Sequence, residues 1–395
     1  MKTFEELGLN ESLLKVISES GFASPTSIQE EAIPLVLEGK DVIGESATGS
    51  GKTLVFGSGI IQKLKKQRLV QALILAPTRE LAEQISADLK KFSKYNPLEI
   101  ISVYGGVDIQ NQIRNIKNAD VVVGTPGRIL DHLFRRTLNL NNVKILVLDE
   151  ADRMLDMGFH DDVEKILHAC NRKRQTLLFS ATISSDILDI AKRYMIKPVD
   201  VSVENYIDSG KLKQFYYDVQ TNKKFSLLLH LLKNEKSNLV MVFCNTRRTV
   251  DFASKMLSSN GIEAVAIHGG LRQNKRNSIM RDFHKGEVLV LVCTDVAARG
   301  LDIKNVSHIY NYDLPKTSKE YIHRVGRTAR AGEEGIAISL VSQLDYDNFR
   351  QITNDSSLDI KEEKLPEFRE IYIRPLHRFR KFGRRNFSSR RRFRH

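Results

Sequence analysis

Twice along this chain, short apolar runs rich in Val and Ile alternate with amphipathic stretches, and that rhythm fixes the fold class. In the first half the runs are residues 41–44, 72–76, 100–104, 120–124, 145–148 and 176–179. Uninterrupted apolar runs of this length suit strands of a parallel sheet buried on both faces. Between them lie helical patterns such as residues 80–91, where Leu81, Ile85 and Leu89 share one face, so a doubly wound α/β domain is expected. The pattern breaks at residues 201–213, a polar stretch containing Asp208, Ser209 and Gly210, and resumes at 239–243, 264–267, 288–292, 306–310 and 336–341. A length of 395 residues also exceeds one ordinary core. The reading is therefore two tandem α/β domains, over residues 1–204 and 213–365, joined by a hinge at 205–212 and followed by a tail from 366. Open α/β sheets bind ligands at the carboxyl ends of their strands, so two such domains would face each other across a cleft.

Composition narrows the function. The apolar share of 41% and charged share of 28% are those of a soluble globular chain, without an apolar run long enough to span a bilayer. The first residues carry Glu5 and Glu6 and lack the apolar centre of a secretory signal, so a cytoplasmic protein with no membrane contact is expected. Cys170, Cys244 and Cys293 stand far apart, which suits reduced core thiols rather than disulfides or zinc. The net charge of +13 is uneven: ten positives and no acid fall between Arg374 and His395, leaving +3 for the rest. In that tail Phe379, Phe382, Phe387 and Phe393 interleave with arginine. Such a segment cannot bury a core and is expected to be disordered alone, while suiting phosphate attraction and base stacking on RNA.

Two motifs carry chemistry directly. After the first apolar run comes Ser46-Ala-Thr48-Gly49-Ser50-Gly51-Lys52-Thr53, then a helical pattern. Backbone N–H groups of such a loop wrap phosphates, Lys52 reaches the β/γ-phosphates and Thr53 offers a hydroxyl to Mg²⁺; Ser46 replaces the first glycine of the generic pattern. Residues 145–148 lead into Asp149-Glu150-Ala151-Asp152. A carboxylate at that strand end suits a Mg²⁺ site at Asp149, and Glu150 beside it suits activation of the water that attacks the γ-phosphate.

Asp-Glu-Ala-Asp is the signature of the DEAD-box family of superfamily 2 RNA helicases, and the chain resembles that family from residue 4 to about 350. The resemblance implies two RecA-like domains with ATP and Mg²⁺ as cofactors. Gln29, in Gly21-Phe22-Ala-Ser-Pro25-Thr26-Ser-Ile-Gln29, resembles the adenine-recognising residue, with Phe22 stacking on the base and Phe4 as outlying support. Thr78 and Arg79, Gly105 and Gly106, and Thr125 and Arg128 resemble first-domain RNA contacts; Thr246, Gly269 and Thr294 are their counterparts in the second. Hydroxyls, exposed N–H groups and arginine suit a phosphate backbone, so mostly sequence-independent RNA binding is implied. Ser180 and Thr182 resemble the segment coupling hydrolysis to closure, Asp295 would tie two second-domain motifs together, and Asp302 would bind the ribose. In the block Tyr321-Ile-His323-Arg324-Val-Gly326-Arg327-Thr-Ala-Arg330, Arg327 and Arg330 resemble arginine fingers for the γ-phosphate, and His323 a coupling residue.

The implied activity is RNA-stimulated ATP hydrolysis coupled to domain closure and local, non-processive RNA unwinding, by a monomer acting on RNA or on ribonucleoprotein and ribosomal assembly partners. An RNA clamp or annealing chaperone and a DNA helicase of the same superfamily are the competing readings.

Overall fold

The structure is a computed structural model that describes residues 2–46, 50–202, 212–235, 237–298, 306–329 and 334–371. The sequence readings for Thr48, Gly49, Asp302 and Arg330, for most of the hinge, and for the tail from Tyr372 onward lie outside these residues.

Two seven-stranded parallel sheets form the molecule. In the first, β1 (Val42–Glu45), β2 (Ala72–Leu75), β3 (Ile100–Val103), β4 (Val121–Gly124), β5 (Ile145–Leu148), β6 (Gln175–Ser180) and β7 (Val199–Ser202) lie in the order β3-β4-β2-β5-β6-β1-β7. In the second, β8 (Leu212–Asp218), β9 (Leu239–Phe243), β10 (Ala264–Ile267), β11 (Val290–Cys293), β12 (Val306–Asn311), β13 (Gly335–Val341) and β14 (Lys361–Glu362) lie in the order β10-β11-β9-β12-β13-β8-β14. Successive residues of each central strand feed opposite cores. Val42, Ile74 and Val147 enter one cluster while Ile43, Leu73, Leu75, Leu146 and Leu148 enter the other. The same division separates Met241 and Phe243 from Val240 and Val242 in the second domain. This two-sided burial is why the strands read as unbroken apolar runs. All three cysteines are buried free thiols, and no helix among the described residues is long and apolar enough to cross a membrane.

Three strands escaped the sequence reading for one reason: each lies at or beside a sheet edge. β7 pairs with β1 from Val42↔Val199 to Glu45↔Ser202, yet only Val201 is buried. β8 pairs with β13 over seven residues but is mostly half-buried, so Leu-Lys-Gln-Phe-Tyr-Tyr-Asp mixes polar and aromatic residues instead of running apolar. β14 is wholly exposed. Packing also continues past Leu365, where loss of core contacts was expected. Phe368 and Ile371 pack on the second core, the Phe368 ring lies 6.1 Å from that of His230, and the Ile371 N–H donates to Ser226 Oγ at 3.0 Å.

Ending the chain after Leu365 is therefore expected to cost the second domain about 1–2 kcal/mol, since two half-buried apolar side chains are lost. Ending it after Ile371 should leave thermal unfolding unchanged. Identical melting curves for the two truncations would show that this contact adds no stability.

Candidate active site

Strands β5, β6 and β1 are neighbours, and their carboxyl ends gather Asp149 and Glu150, Ser180 and Thr182, and the loop before Lys52. Lys52 opens the helix Lys52–Lys63; its side chain is buried and its Nζ donates to Ser46 O at 3.0 Å. Gly51 caps that helix at φ +90°, and a Cβ there would lie 2.3 Å from Gln29 Nε2, so both conformation and space demand glycine. Gln29 Oε1 accepts from the Thr26 N–H at 3.0 Å and Nε2 donates to Gly51 O at 3.0 Å, while Thr26 Oγ1 donates to Ser50 O at 2.8 Å. One amide hydrogen and one carbonyl lone pair of Gln29 remain, the pair an adenine edge needs. Phe22 is 41% exposed, available for stacking, whereas Phe4 sits in the first core at 6% and can only support.

The acidic pair is held tightly. Asp149 and Glu150 are both 4% exposed, and the Glu150 N–H donates to Asp149 Oδ1 at 3.0 Å. Burial pushes the Asp149 carboxyl up to about 6 despite the charge of Lys52. Glu150 adopts φ 53°, ψ 52°, the left-handed region that side-chain-bearing residues rarely enter. Its carboxylate pairs with Arg153 Nη1 at 2.7 Å. Burial raises the Glu150 pKa, but Arg153, then Arg327 and Lys52, outweigh it and hold it below the ordinary value. The neighbouring Asp152 joins the coupling segment: its N–H donates to Ser180 Oγ at 3.3 Å, Ser180 Oγ donates to Thr182 O at 2.7 Å, and Thr182 Oγ1 donates to Asp152 Oδ2 at 3.3 Å.

The second domain reaches the same place. A cleft is lined by Arg153 from the first domain and by His323, Arg324, Arg327 and Asp295 from the second. Arg153 Nη2 and His323 Nε2 are buried with no hydrogen-bond partner among the described residues. Burial, with the charges of Arg153 and Arg327, lowers His323 to about 3, so it is neutral. The unpaired Arg153 donor beside the charge of Arg327 suits an anionic oxygen. The domains also touch directly: Arg276 pairs with Glu80 at 2.9 Å, both buried, and Lys319 with Asp156 at 3.4 Å.

The remaining candidates sit on the opposite half of each sheet. Thr78, Gly105, Gly106 and Thr125 follow β2, β3 and β4; Thr246, Gly269 and Thr294 follow β9, β10 and β11, the matching three-strand edge of the second sheet. Thr78 and Thr246 are helix N-caps, accepting from Leu81 N at 3.3 Å and Thr249 N at 3.1 Å; the Thr78 hydroxyl still has its hydrogen to give, while Thr246 Oγ1 also shares a hydrogen bond of 2.8 Å with Thr249 Oγ1. Gly106, at φ +85°, leaves space for Arg79: a Cβ there would lie 2.2 Å from Arg79 Nη1.

Residues 26–190 match the family model for the DEAD/DEAH box helicase and residues 223–332 that for the helicase conserved C-terminal domain. The chain belongs to the DEAD/DEAH box helicase family. It is 47% identical over 375 residues to the ATP-dependent RNA helicase CshA of Listeria monocytogenes, covering 94% of this chain and 72% of that protein. Among solved structures, Saccharomyces cerevisiae Dbp5 bound to RNA and ADP BeF3 superposes with a TM-score of 0.84 at 34% identity, covering 92% of this chain and 96% of that one. A Dbp5 variant bound to Nup159, Gle1, IP6 and ADP gives 0.64 at 32% identity, covering 90% and 95%.

In this DEAD-box helicase the structure brings Lys52, Asp149, Glu150, His323 and Arg327 within electrostatic reach of one another, and adds residues that the sequence reading did not single out. Arg324 is 1% exposed; Nε and Nη2 pair with Asp295 at 2.7 Å each, Nη1 donates to Asp313 O at 2.6 Å and Asn311 Oδ1 at 3.2 Å, and Nη2 donates to Asn245 Oδ1 at 2.9 Å. This one guanidinium ties the loops after β9, β11 and β12 to the helix Ser318–Val325, which ends just before Arg327. Asp295, expected to tie two motifs together, pairs with Arg324 of the block that begins at Tyr321. Arg153 was likewise overlooked, although its place three residues after Glu150 on a helix put it within reach.

Asp295→Ala would leave a buried guanidinium without its anion, a loss of roughly 3 kcal/mol for the second domain. Urea denaturation measures it, and a change below about 1 kcal/mol would mean that Arg324 is not held as described.

Proposed function

We propose that the protein is an ATP-dependent RNA helicase in which hydrolysis is confined to the closed form, because the hydrolytic site is built from both domains. The observation that carries this reading is the composite cleft, where Arg327 of the second domain acts on Glu150 of the first. The printed name of the Listeria relative, ATP-dependent RNA helicase, and the RNA and ADP BeF3 bound to Dbp5 point the same way.

Within that cleft, Gln29 would read the adenine edge and Lys52 would meet the β/γ-phosphates. Asp149 is buried with one neutral donor, so its charge is under-compensated, and a cation fits there: Thr53 and Asp149 would hold Mg²⁺, which when bound supplies positive charge beside the phosphates. Glu150, kept ionised and aimed by Arg153, would orient the attacking water, and Arg327 would stabilise charge on the departing phosphoryl group. Closure also aligns the two three-strand edges, so that Thr78, Arg79, Gly105, Gly106, Thr125 and Arg128 face RNA jointly with Thr246, Gly269 and Thr294. Backbone groups and hydroxyls grip phosphates without reading bases, which suits local opening of a duplex rather than sequence recognition.

Glu150→Gln is expected to retain ATP and RNA binding while turnover falls at least ~100-fold, the usual contribution of a positioned base. Normal turnover in RNA-stimulated phosphate-release assays would remove Glu150 from the mechanism.

Lys52→Ala and Arg327→Ala should fail differently. The first weakens nucleotide binding; the second binds ATP nearly normally but loses RNA-stimulated hydrolysis, since Arg327 contributes only in the closed form. Equal loss of nucleotide affinity in both would contradict a site divided between domains.

A further inference from the structure

We infer that Gln112, which belongs to none of the motifs named above, is a positioning residue that fixes the first-domain RNA surface by holding Arg128 without neutralising it. This rests on the reading of Arg128 as a phosphate contact.

Gln112 lies on the helix Ile109–Ile116 and is 6% exposed. A polar side chain this buried must find partners, and it finds them in both neighbouring RNA-side segments. Its Nε2 donates to Tyr104 O at 2.9 Å, the carbonyl just before Gly105-Gly106. Its Oε1 accepts from Arg128 Nη1 at 3.1 Å and from His132 Nε2 at 3.1 Å. Because the amide oxygen can only accept, His132 must carry its hydrogen on Nε2, and His132 Nδ1 faces Thr137 Oγ1 at 2.8 Å. The loops after β3 and β4 are thus pinned to each other through one amide. The result shows at Gly105, where a Cβ would lie 3.6 Å from Arg79 Nη2 and 4.0 Å from Arg128 Nη2. Two guanidinium groups flank one glycine, a cradle with the charge and exposed backbone that a phosphate requires.

The amide matters because it is neutral. A carboxylate in its place would hold Arg128 as firmly but form a partly buried ion pair, cancelling the charge that phosphate must see. Asp131, the other acid near Arg128, stands at 3.8 Å and is 37% exposed, a solvent-screened contact. An apolar side chain of equal length would fill the space but leave Arg128 with only its long bonds to Val107 O, at 3.4 and 3.5 Å, and its screened contact with Asp131, and would leave Tyr104 O unsatisfied.

The test uses the full chain and a single-stranded oligonucleotide of RNA. Gln112→Met preserves volume and helix, and should raise the RNA concentration for half-maximal ATPase about tenfold, the effect of losing one hydrogen bond to a charged group. Turnover at saturating RNA and affinity for a non-hydrolysable ATP analogue should stay near those of the parent. In an Arg128→Ala background the same substitution should add little, because Gln112 acts through Arg128. An unchanged RNA requirement in Gln112→Met, or an equal penalty with and without Arg128, would overturn the inference. Should Gln112→Met fold poorly, Gln112→Glu serves: it keeps the hold on Arg128 but cancels its charge and loses the donor to Tyr104 O, so RNA affinity must fall while nucleotide affinity does not, and unaltered RNA affinity overturns the proposal. A parent chain whose ATPase ignores RNA would instead refute the helicase reading itself.

Discussion

A carboxylate taken out of water has to be compensated, and in this molecule the compensation of Glu150 organises everything around it. Arg153 supplies the first positive charge at 2.7 Å, within the same helix and the same domain. The second comes from Arg327, which stands on the other domain. A site that is electrostatically complete only when two domains meet makes closure a condition of chemistry rather than an accompaniment to it. The strained backbone of Glu150 fits this picture: φ 53° turns the strand end sharply into its helix and presents the carboxylate to the cleft.

The sheet order explains how one closure serves two ligands. In the first domain the proposed nucleotide-side residues follow β5, β6 and β1 and the proposed RNA-side residues follow β2, β3 and β4, so both sets ride on one sheet. In the second, the proposed RNA-side residues follow β9, β10 and β11, and Arg324 ties two of those strand ends to the helix that ends just before Arg327. On the proposed reading, neither ligand can draw the domains together without aligning the other's contacts. The buried Arg276–Glu80 pair marks the junction on the RNA side, next to Arg79, and Lys319–Asp156 marks it near the acidic pair.

Much of this was legible in the sequence, for physical reasons. Strands buried on both faces must be apolar throughout, so nearly all the central strands stood out; β7, β8 and β14, at or beside edges, lacked that constraint. Residues whose chemistry suits a ligand, such as Lys52, Glu150 and Arg327, stood out by type. Residues that act on other protein groups did not. Arg324 is hidden inside a basic run whose neighbours look more reactive, and Gln112 is a plain amide on an amphipathic helix whose importance lies in partners 8 and 16 residues away. Ile371 was lost because so short an apolar run after a polar segment carries no periodicity.

The most direct test of the two-domain account is reciprocity between ligands, because linkage requires it whatever the path of closure. The affinity for a non-hydrolysable ATP analogue is measured with and without saturating single-stranded RNA, and the affinity for RNA with and without saturating analogue. The account predicts that both rise by the same factor, at least about fivefold, the lower end of ordinary coupling between sites. Affinities for each ligand that ignore the presence of the other would contradict it.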